Sequence, residues 1–529
     1  MRLLKTVAAL RCYLDLQESS LQVGLVPTMG ALHRGHLSLI ERARSENDIV
    51  IVSIFVNPLQ FAPQEDLDSY PRTWERDKEL CSEAGVDAIF APNGEDMGIG
   101  SIHTARSEEG AIAFISNQTL VIPPVSMTAV MCGKTRLHFF QGIATIVTKL
   151  LNLVRPTRAY FGQKDAQQLA IIKRLVLDLN LNVEIVPCPI VREESGLALS
   201  SRNQYLTEAE KELAAQLYKG LARAELAFRG GDRSCKSIVE VVKSHLAANK
   251  AIDLEYVELV EPETLNPIDK VEEAGLLALA AKVGSARLID NIVLRQRKPI
   301  IAIDGPAGAG KSTVARQLAE KLGLFYLDTG AMYRAVTWLV LEKGIAVDDF
   351  SAVAEIASRA EIKFVTSDAS GDVSAGRVFI NDIDVTKPIR GTAVTKNVSA
   401  IAAQKEVRRS LLKQQQGYGR GGGIVAEGRD IGTRVFPDAE LKIFLTASVG
   451  ERAKRRKQDF LLRGDSGQEP SDEISLEKIE ENIRQRDWQD SNRKIDPLIK
   501  AADAIAIDTD GLTAQEVTER IVQLFHSRR

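Results

Sequence analysis

Short apolar runs alternate with amphipathic stretches through residues 1–202. VGLVP (23–27), DIVIVSIFV (48–56), DAIFAP (87–92), RAYFG (158–162) and VEIVPCPIV (183–191) are brief, apolar and bounded by polar or turn-forming residues, which predicts strands. Between them, LSLIERARSEN (37–47) and AQQLAIIKRLVLDLN (166–180) space their apolar residues three and four apart, as a half-buried helix does. Strand and helix in alternation predict an α/β fold: a parallel sheet covered on both faces, with a ligand crevice at the carboxyl ends of the strands. The opening MRLLKTVAALRCYLDLQ (1–17) reads as an amphipathic helix. Arg11 and Asp15 interrupt its apolar pattern and exclude a signal-peptide core. No apolar run approaches the ~20 residues needed to cross a bilayer.

From about 203 the pattern changes to helices followed by DLEYVELVEP, LLALAAKV and ARLIDNIVL, a smaller α+β unit. A charged run, RQRK (295–298), then precedes Pro299 and a new apolar run, Ile300–Ile303. The expected organisation is therefore 1–202 as a sheet domain, 203–294 as its small companion, 295–298 as a linker and 299–529 as a second autonomous fold. A length of 529 residues supports this, at roughly 100–200 residues per domain.

Composition changes the picture only by exclusion. With 44% hydrophobic and 26% charged residues and a net charge of −3, the chain is not expected to be a general phosphate-backbone binder, so nucleic acid is not an expected partner; without an apolar run of ~20 residues, neither is a membrane. Its five cysteines (Cys12, Cys81, Cys132, Cys188, Cys235) are scattered without a C-x-x-C pair, which suggests neither a disulfide framework nor a zinc site and fits a reducing cytoplasm.

Candidate chemistry begins with LVPTMGALHRGHLSLI (25–40). A strand ends at Pro27, a Gly-containing turn follows, and His33 and His36 flank Gly35 at the start of the next helix. Unpaired N–H groups and the helix dipole favour phosphate there, and two imidazole donors would stabilise charge growing on an α-phosphorus. Alone, an H-x-G-H string is more often a pair of helix-capping surface histidines; the strand-turn-helix context favours the functional reading. ALSSRN (198–203) offers two hydroxyls and an arginine for closing over pyrophosphate, although such a string alone is an ordinary polar turn. YFGQKDAQQLA (160–170) sets Lys164, Asp165 and Gln168 at a strand end facing the crevice.

These strings, with FVNPLQF (55–61), YPRT and ARLIDN in the same order, resemble pantothenate synthetase, the pantoate–β-alanine ligase family, over about residues 1–290. The resemblance implies a Rossmann-like nucleotidyltransferase domain with a small α+β subdomain, ATP-dependent adenylation of pantoate, and attack on the acyl-adenylate by β-alanine. By resemblance, Met29, Gly30, Ala31, Leu32, His33, Arg34, Gly35 and His36 hold ATP together with Gly162, Gln163, Lys164 and Asp165; Val191 supports the adenine, and Leu199, Ser200, Ser201 and Arg202 form a closing loop. His36, with His33 and Lys164, would be catalytic, and Asn57, Gln60 and Gln168 would hold pantoate or β-alanine. Relatives are commonly dimers, so a homodimer through this half is implied. One segment departs from the family: RLHFFQG (136–142) puts Phe139 where most relatives carry histidine, with His138 the nearest substitute. Asn93–Lys134 diverges and carries no assignment.

In the second half, Gly305, Pro306, Ala307, Gly308, Ala309, Gly310, Lys311 and Ser312, followed by Thr313, match the G-x-x-x-x-G-K-[ST] phosphate loop after a strand. Lys311 would reach the β and γ phosphates of ATP, and the Ser312 hydroxyl would ligate Mg²⁺. No guanine-reading N-K-x-D follows a later strand; NRKID (492–496) has the wrong spacing. LDTGAMYR brings Thr329 and Arg334, and later segments bring Ser399, Arg408, Arg429, Asp430, Arg486, Asp490 and Arg493, more arginines than one triphosphate requires. Such an array suits two phosphate-bearing substrates, although ERAKRRKQ (451–458) alone is as well read as a solvated helix face.

IDGPAGAGKST, LDTGAMYR and AEGRDIGT in that order resemble bacterial cytidylate kinase over about 298–529. The resemblance implies a P-loop nucleoside monophosphate kinase acting on CMP or dCMP, those nine residues as the CMP set, Lys311 as catalytic, RVFINDIDVTKPIR (377–390) as a β-containing insert and ERAKRRKQDFLLRG (451–464) as a lid. The whole then resembles an in-frame fusion of the two enzymes, as found in cyanobacteria. Two other readings stay open: the first half as another H-x-G-H nucleotidyltransferase, or one half as an inactive nucleotide-sensing scaffold.

Overall fold

Strand β2 (Val23–Thr28) lies at the middle of a parallel sheet and is the place where the chain reverses its direction of travel. The sheet has six strands in the order β1-β4-β3-β2-β5-β6, with β1 (Arg2–Leu4), β3 (Ile49–Ile54), β4 (Ala88–Phe90), β5 (Arg158–Gly162) and β6 (Glu184–Cys188). From β2 the chain builds outward through β3 and β4, then crosses to add β5 and β6 on the other side. The carboxyl ends of β2 and β5 are thus neighbours at a topological switch point, where open α/β sheets collect ligands. Apart from Ile54 and Pro27, Leu25 through Thr28 and all of β3 are buried, as a strand covered on both faces requires.

The computed structural model describes residues 1–61, 67, 70–99, 119–136, 138–365, 376–463, 475–493 and 495–527, without the side chains of 459–463. It divides into two units, Met1–Gln296 and Arg297–Arg529. The expected helix over 1–17 is corrected to a strand and a shorter helix, Val7–Asp15, whose Thr6 hydroxyl accepts from the Ala9 N–H at 3.1 Å. Arg2–Leu4 instead pairs with Ala88–Phe90 at the sheet edge, a contact with chain far away that overrides local periodicity.

A second, antiparallel sheet, β7 (Ile252–Val260), β8 (Ala274–Val283) and β9 (Ala286–Arg295), completes the first unit with a core of its own against helices Glu208–Arg229 and Cys235–Ala247. The division between units falls inside RQRK. Arg295 ends β9 and the Gln296 N–H bonds Glu273 O at 2.8 Å within the first unit. Arg297 pairs with Asp438 and Glu440, both at 3.0 Å, within the second.

That second unit has a five-stranded parallel sheet in the order β11-β15-β10-β16-β17: β10 (Ile300–Asp304), β11 (Phe325–Asp328), β15 (Ile424–Gly428), β16 (Leu441–Thr446) and β17 (Ile505–Asp508). The wholly buried β10 is flanked by β15 and β16, so its carboxyl end again opens at a switch point. The segment 377–390 contributes β13 (Arg377–Ile380) and β14 (Ile383–Asp384) to a separate antiparallel sheet with β12 (Ile362–Val365).

Candidate active sites

In the first unit, β2 delivers the chain into a turn and then helix Arg34–Glu46, with His33 as the N-cap. The ring nitrogen Nδ1 of His33 accepts from the Gly35 N–H at 3.1 Å, and Nδ1 of His36 accepts from the His33 N–H at 3.4 Å. With both Nδ1 atoms accepting, each neutral ring carries its proton on Nε2. The rings lie 4.1 Å apart between centroids. Burial, reinforced by Lys164, holds His33 down to about 4; burial, with His33 and Lys164 adding, holds His36 down to about 3. Burial also lowers the Lys164 ammonium below the usual lysine range. The pair is therefore two neutral N–H donors beside the Lys164 side chain.

Around them is a cavity of about 290 Å³. Of the sequence-predicted residues, Met29, His33, Gly35, His36, Asn57, Gln60, Gly162, Lys164, Asp165, Gln168, Val191, Leu199, Ser200, Ser201 and Arg202 line it. Five do not. Arg34 faces solvent and pairs with Glu41 at 3.1 Å, and Gln163 is exposed. Gly30, Ala31 and Leu32 have their N–H groups engaged by Thr28 Oγ1 (3.2 Å) and by the two carboxylate oxygens of Asp77 (2.9 Å each). In the turn ahead of that helix, from Gly30 to His33, every N–H is bonded within the protein. Asn57 spends its amide on the Leu59 N–H and Gly142 O, so at the cavity wall it acts as a loop cap. His138 is exposed and contacts Gln141 Oε1 at 2.8 Å, so it does not take the place of the missing family histidine. Arg136 instead lines the cavity, 3.7 Å above the Phe139 ring, and donates to Gln60 O at 2.7 Å.

Sequence reasoning missed the residues that fix these loops. Arg192 is held bidentately by the buried Asp290 at 2.6 and 2.8 Å, and Asn291 Nδ2 donates to the carbonyls of Gln163 (3.0 Å) and Lys164 (2.9 Å). Asp290 and Asn291 belong to the ARLIDN string on β9, and Asp77 follows YPRT closely; these strings were the only signal available.

In the second unit β10 runs into the Gly-rich loop. Gly305 has φ +147°, and a Cβ there would lie 2.2 Å from Leu445 O, so no other residue fits. Gly310, at φ +83°, caps helix Lys311–Leu322. The Lys311 ammonium folds back to Pro306 O at 2.8 Å; burial, then Arg429, pushes it down to about 7. Ser312 Oγ donates to Glu427 Oε2 at 2.9 Å, Tyr326 OH donates to Glu427 Oε1, and Thr329 Oγ1 donates to Glu427 O at 2.7 Å. Glu427, at the end of β15, was not singled out in the sequence.

The arginine set is laced together by carboxylates. Arg408 pairs with Asp430 and, through Nε at 2.8 Å, with Asp496; Arg493 reaches Asp430 at 3.4 Å; Arg429 reaches Asp490 at 2.8 Å. Arg334 donates to Thr395 Oγ1 at 3.0 Å. Burial, then Arg429, lowers the Arg486 guanidinium to about 10. Ser399 is exposed on helix Thr392–Ala402, one turn before Ala402, whose carbonyl accepts from Arg408 at 3.2 Å. At the start of the expected lid, Arg452 pairs with Asp487 and donates to Ala307 O at 3.2 Å, seating that helix against the Gly-rich loop; Gly464, the end of the lid string, lies outside the described residues. Among the described residues no cluster of three or more His, Cys, Asp or Glu is placed to hold a metal, no helix is long and apolar enough to cross a membrane, and all five cysteines are unpaired.

Comparison with known proteins assigns residues 2–293 to the family described as pantoate-beta-alanine ligase and residues 301–527 to that described as cytidylate kinase. The chain is 60% identical over 548 aligned positions to the bifunctional pantoate ligase/cytidylate kinase of Trichormus variabilis, covering 100% of this chain and 99% of that one. It is 53% identical over 524 positions to the protein of the same description from Synechocystis, covering 98% of each. Among solved structures, pantothenate synthetase from Thermus thermophilus matches with 44% identity and a TM-score of 0.50, over 55% of this chain and 99% of the other.

Proposed function

Since this chain belongs to the bifunctional pantoate ligases/cytidylate kinases, we propose that Met1–Gln296 carries the ligase chemistry at the cavity around His33 and His36, and Arg297–Arg529 the kinase chemistry at the Gly-rich loop. The observation that carries the ligase reading is the convergence of His33, His36, Lys164, Gln168, Ser200 and Arg202 on one cavity at a switch point.

In the ligase half, a pantoate carboxylate oxygen attacks the α-phosphorus of ATP and the bond to the β-phosphate breaks, releasing pyrophosphate. The Nε2–H groups of His33 and His36 and the Lys164 ammonium meet the charge that grows there; as fixed donors in a buried site they act without reorganisation. Ser200, Ser201 and Arg202 attend the leaving pyrophosphate, and the amides of Gln60 and Gln168 orient the neutral hydroxyls of pantoate. The β-alanine amine then attacks the acyl carbon, AMP leaves, and the amine gives up a proton. No side-chain nucleophile is required, so positioning supplies much of the rate.

In the kinase half, an oxygen of the CMP phosphate attacks the γ-phosphorus of ATP. Lys311 and the Gly305–Thr313 backbone hold the donor, while Arg334, Arg429, Arg486 and Arg493 clamp the acceptor and the transferring group. The hard oxygens of Ser312 and Glu427, 2.9 Å apart, suit Mg²⁺. When bound, the ion would neutralise developing phosphate charge. Cytoplasmic location and a homodimer through Met1–Gln296 belong to the same proposal, the latter tested by light scattering.

The test is product analysis with purified full-length chain. ATP, pantoate and β-alanine should yield pantothenate, AMP and pyrophosphate; ATP and CMP should yield CDP and ADP. A dinucleotide product from a screen of mononucleotide acceptors, without pantothenate, would favour the other H-x-G-H nucleotidyltransferase reading; no turnover in one half would favour a sensor.

A further inference from the structure

Gly30 and Ala31 take successive left-handed backbone conformations, φ +82° and +51°, immediately before the H-x-G-H helix. Successive N–H groups in such a turn form a concavity that binds anions. Here the concavity is already filled. Asp77, on helix Trp74–Glu83 and 2% exposed, accepts from the Ala31 N–H through Oδ2 and from the Leu32 N–H through Oδ1, both at 2.9 Å. A third bond, from Thr73 Oγ1 to Asp77 Oδ1 at 3.0 Å, fixes the carboxylate, and among the described residues no cation pairs with it. A Cβ on Gly30 would stand 3.1 Å from Oδ2, so the fit is close. A buried carboxylate without a cation is costly unless its hydrogen bonds are charge-assisted, and these are.

We propose that Asp77 is a positioning residue for the ligase reaction: an internal anion that occupies the turn ahead of the helix and so aims His33 and His36 at the cavity. With Asp77 in place the turn cannot take a substrate phosphate, which must meet the imidazoles instead. In its absence the left-handed turn loses its two bonds, the helix start is released, and the close approach of the two tilted rings is lost. This rests on the reading that the two imidazoles serve adenylation, but the loop geometry can be tested without it.

The decisive variant is Asp77→Asn, which keeps one acceptor oxygen and sets an NH₂ donor against the other N–H. In full-length protein with labelled histidine, of which the chain has six, NMR titration should show the His33 and His36 midpoints rising by about one unit or more toward the unperturbed value. In the same preparation, kcat for pyrophosphate release should fall by about tenfold or more with KM for ATP changed less than about threefold, while CMP phosphorylation is unchanged. Thr73→Val, which removes only the third bond, should move both readouts in the same direction by less, and serves if the first variant does not fold. A histidine titration identical to wild type, a loss confined to KM, or an equal loss of kinase activity would overturn the proposal. A shifted titration in a chain that makes no pantoyl-adenylate would uphold the role of Asp77 in the loop and sink the adenylation reading.

Discussion

Arg408 and Asp430 form an ion pair in which both side chains are almost wholly buried, and Asp430 also receives Arg493. A carboxylate has about four acceptor positions, so the two arginines leave room for the N4 amino group of cytosine. Uracil would present an oxygen there. Asp430→Ala should therefore weaken CMP use and narrow the CMP over UMP preference in kcat/KM, which an unsatisfied polar group at about 1–3 kcal/mol sets at roughly ten- to a hundredfold in wild type. Equal loss for both nucleotides, with the ratio unchanged, would mean the base is read elsewhere.

Lys311 should impose a pH dependence on the kinase alone. Its ammonium is pushed down to about 7 by burial and by Arg429, whereas phosphate favours the charged form. ATP binding at about pH 8 should take up a proton, and kcat/KM for ATP in CMP phosphorylation should fall above about pH 7, approaching tenfold per unit. Calorimetry in buffers of different ionisation enthalpy checks the uptake; a profile flat to about pH 9 would contradict it.

The two histidines should leave no mark of their own on the ligase profile near the ordinary histidine midpoint. Held down to about 4 and about 3, they are neutral from about pH 5 upward, so kcat/KM should show no acid limb centred near 6.5 from their titration. The same depression sets a stability trend. Between about 6.5 and 4 the unfolded chain binds protons that the folded rings refuse, so their contribution is complete above about 6.5 and is lost as pH falls toward 4. Thermal melts of the His36→Ala variant should be less acid-sensitive than wild type in that window.

Much of both sites was legible because the chemistry is local. H-x-G-H sits within four residues of one turn, and the Gly-rich loop ends at Ser312 on the first turn of its own helix; strand, turn and helix are all written there. What was not legible lies across the chain. Asp77 bonds residues 45 and 46 positions away, Asn291 holds carbonyls 127 and 128 positions away, and Asp496 meets Arg408 across 88. No local pattern encodes such pairings. The strand Arg2–Leu4 was missed because three residues are too few to show a period, and the outward turn of Arg34 toward Glu41, just past the N-cap, has no local signature either.

Two units, each with its own site, should carry two independent chemistries in one chain. The most direct measurement is of both reactions in purified Lys311→Ala protein: CMP phosphorylation should fall by on the order of 10²-fold or more while pantothenate formation stays within about twofold of wild type. Parallel loss of both activities in well-folded protein would contradict it.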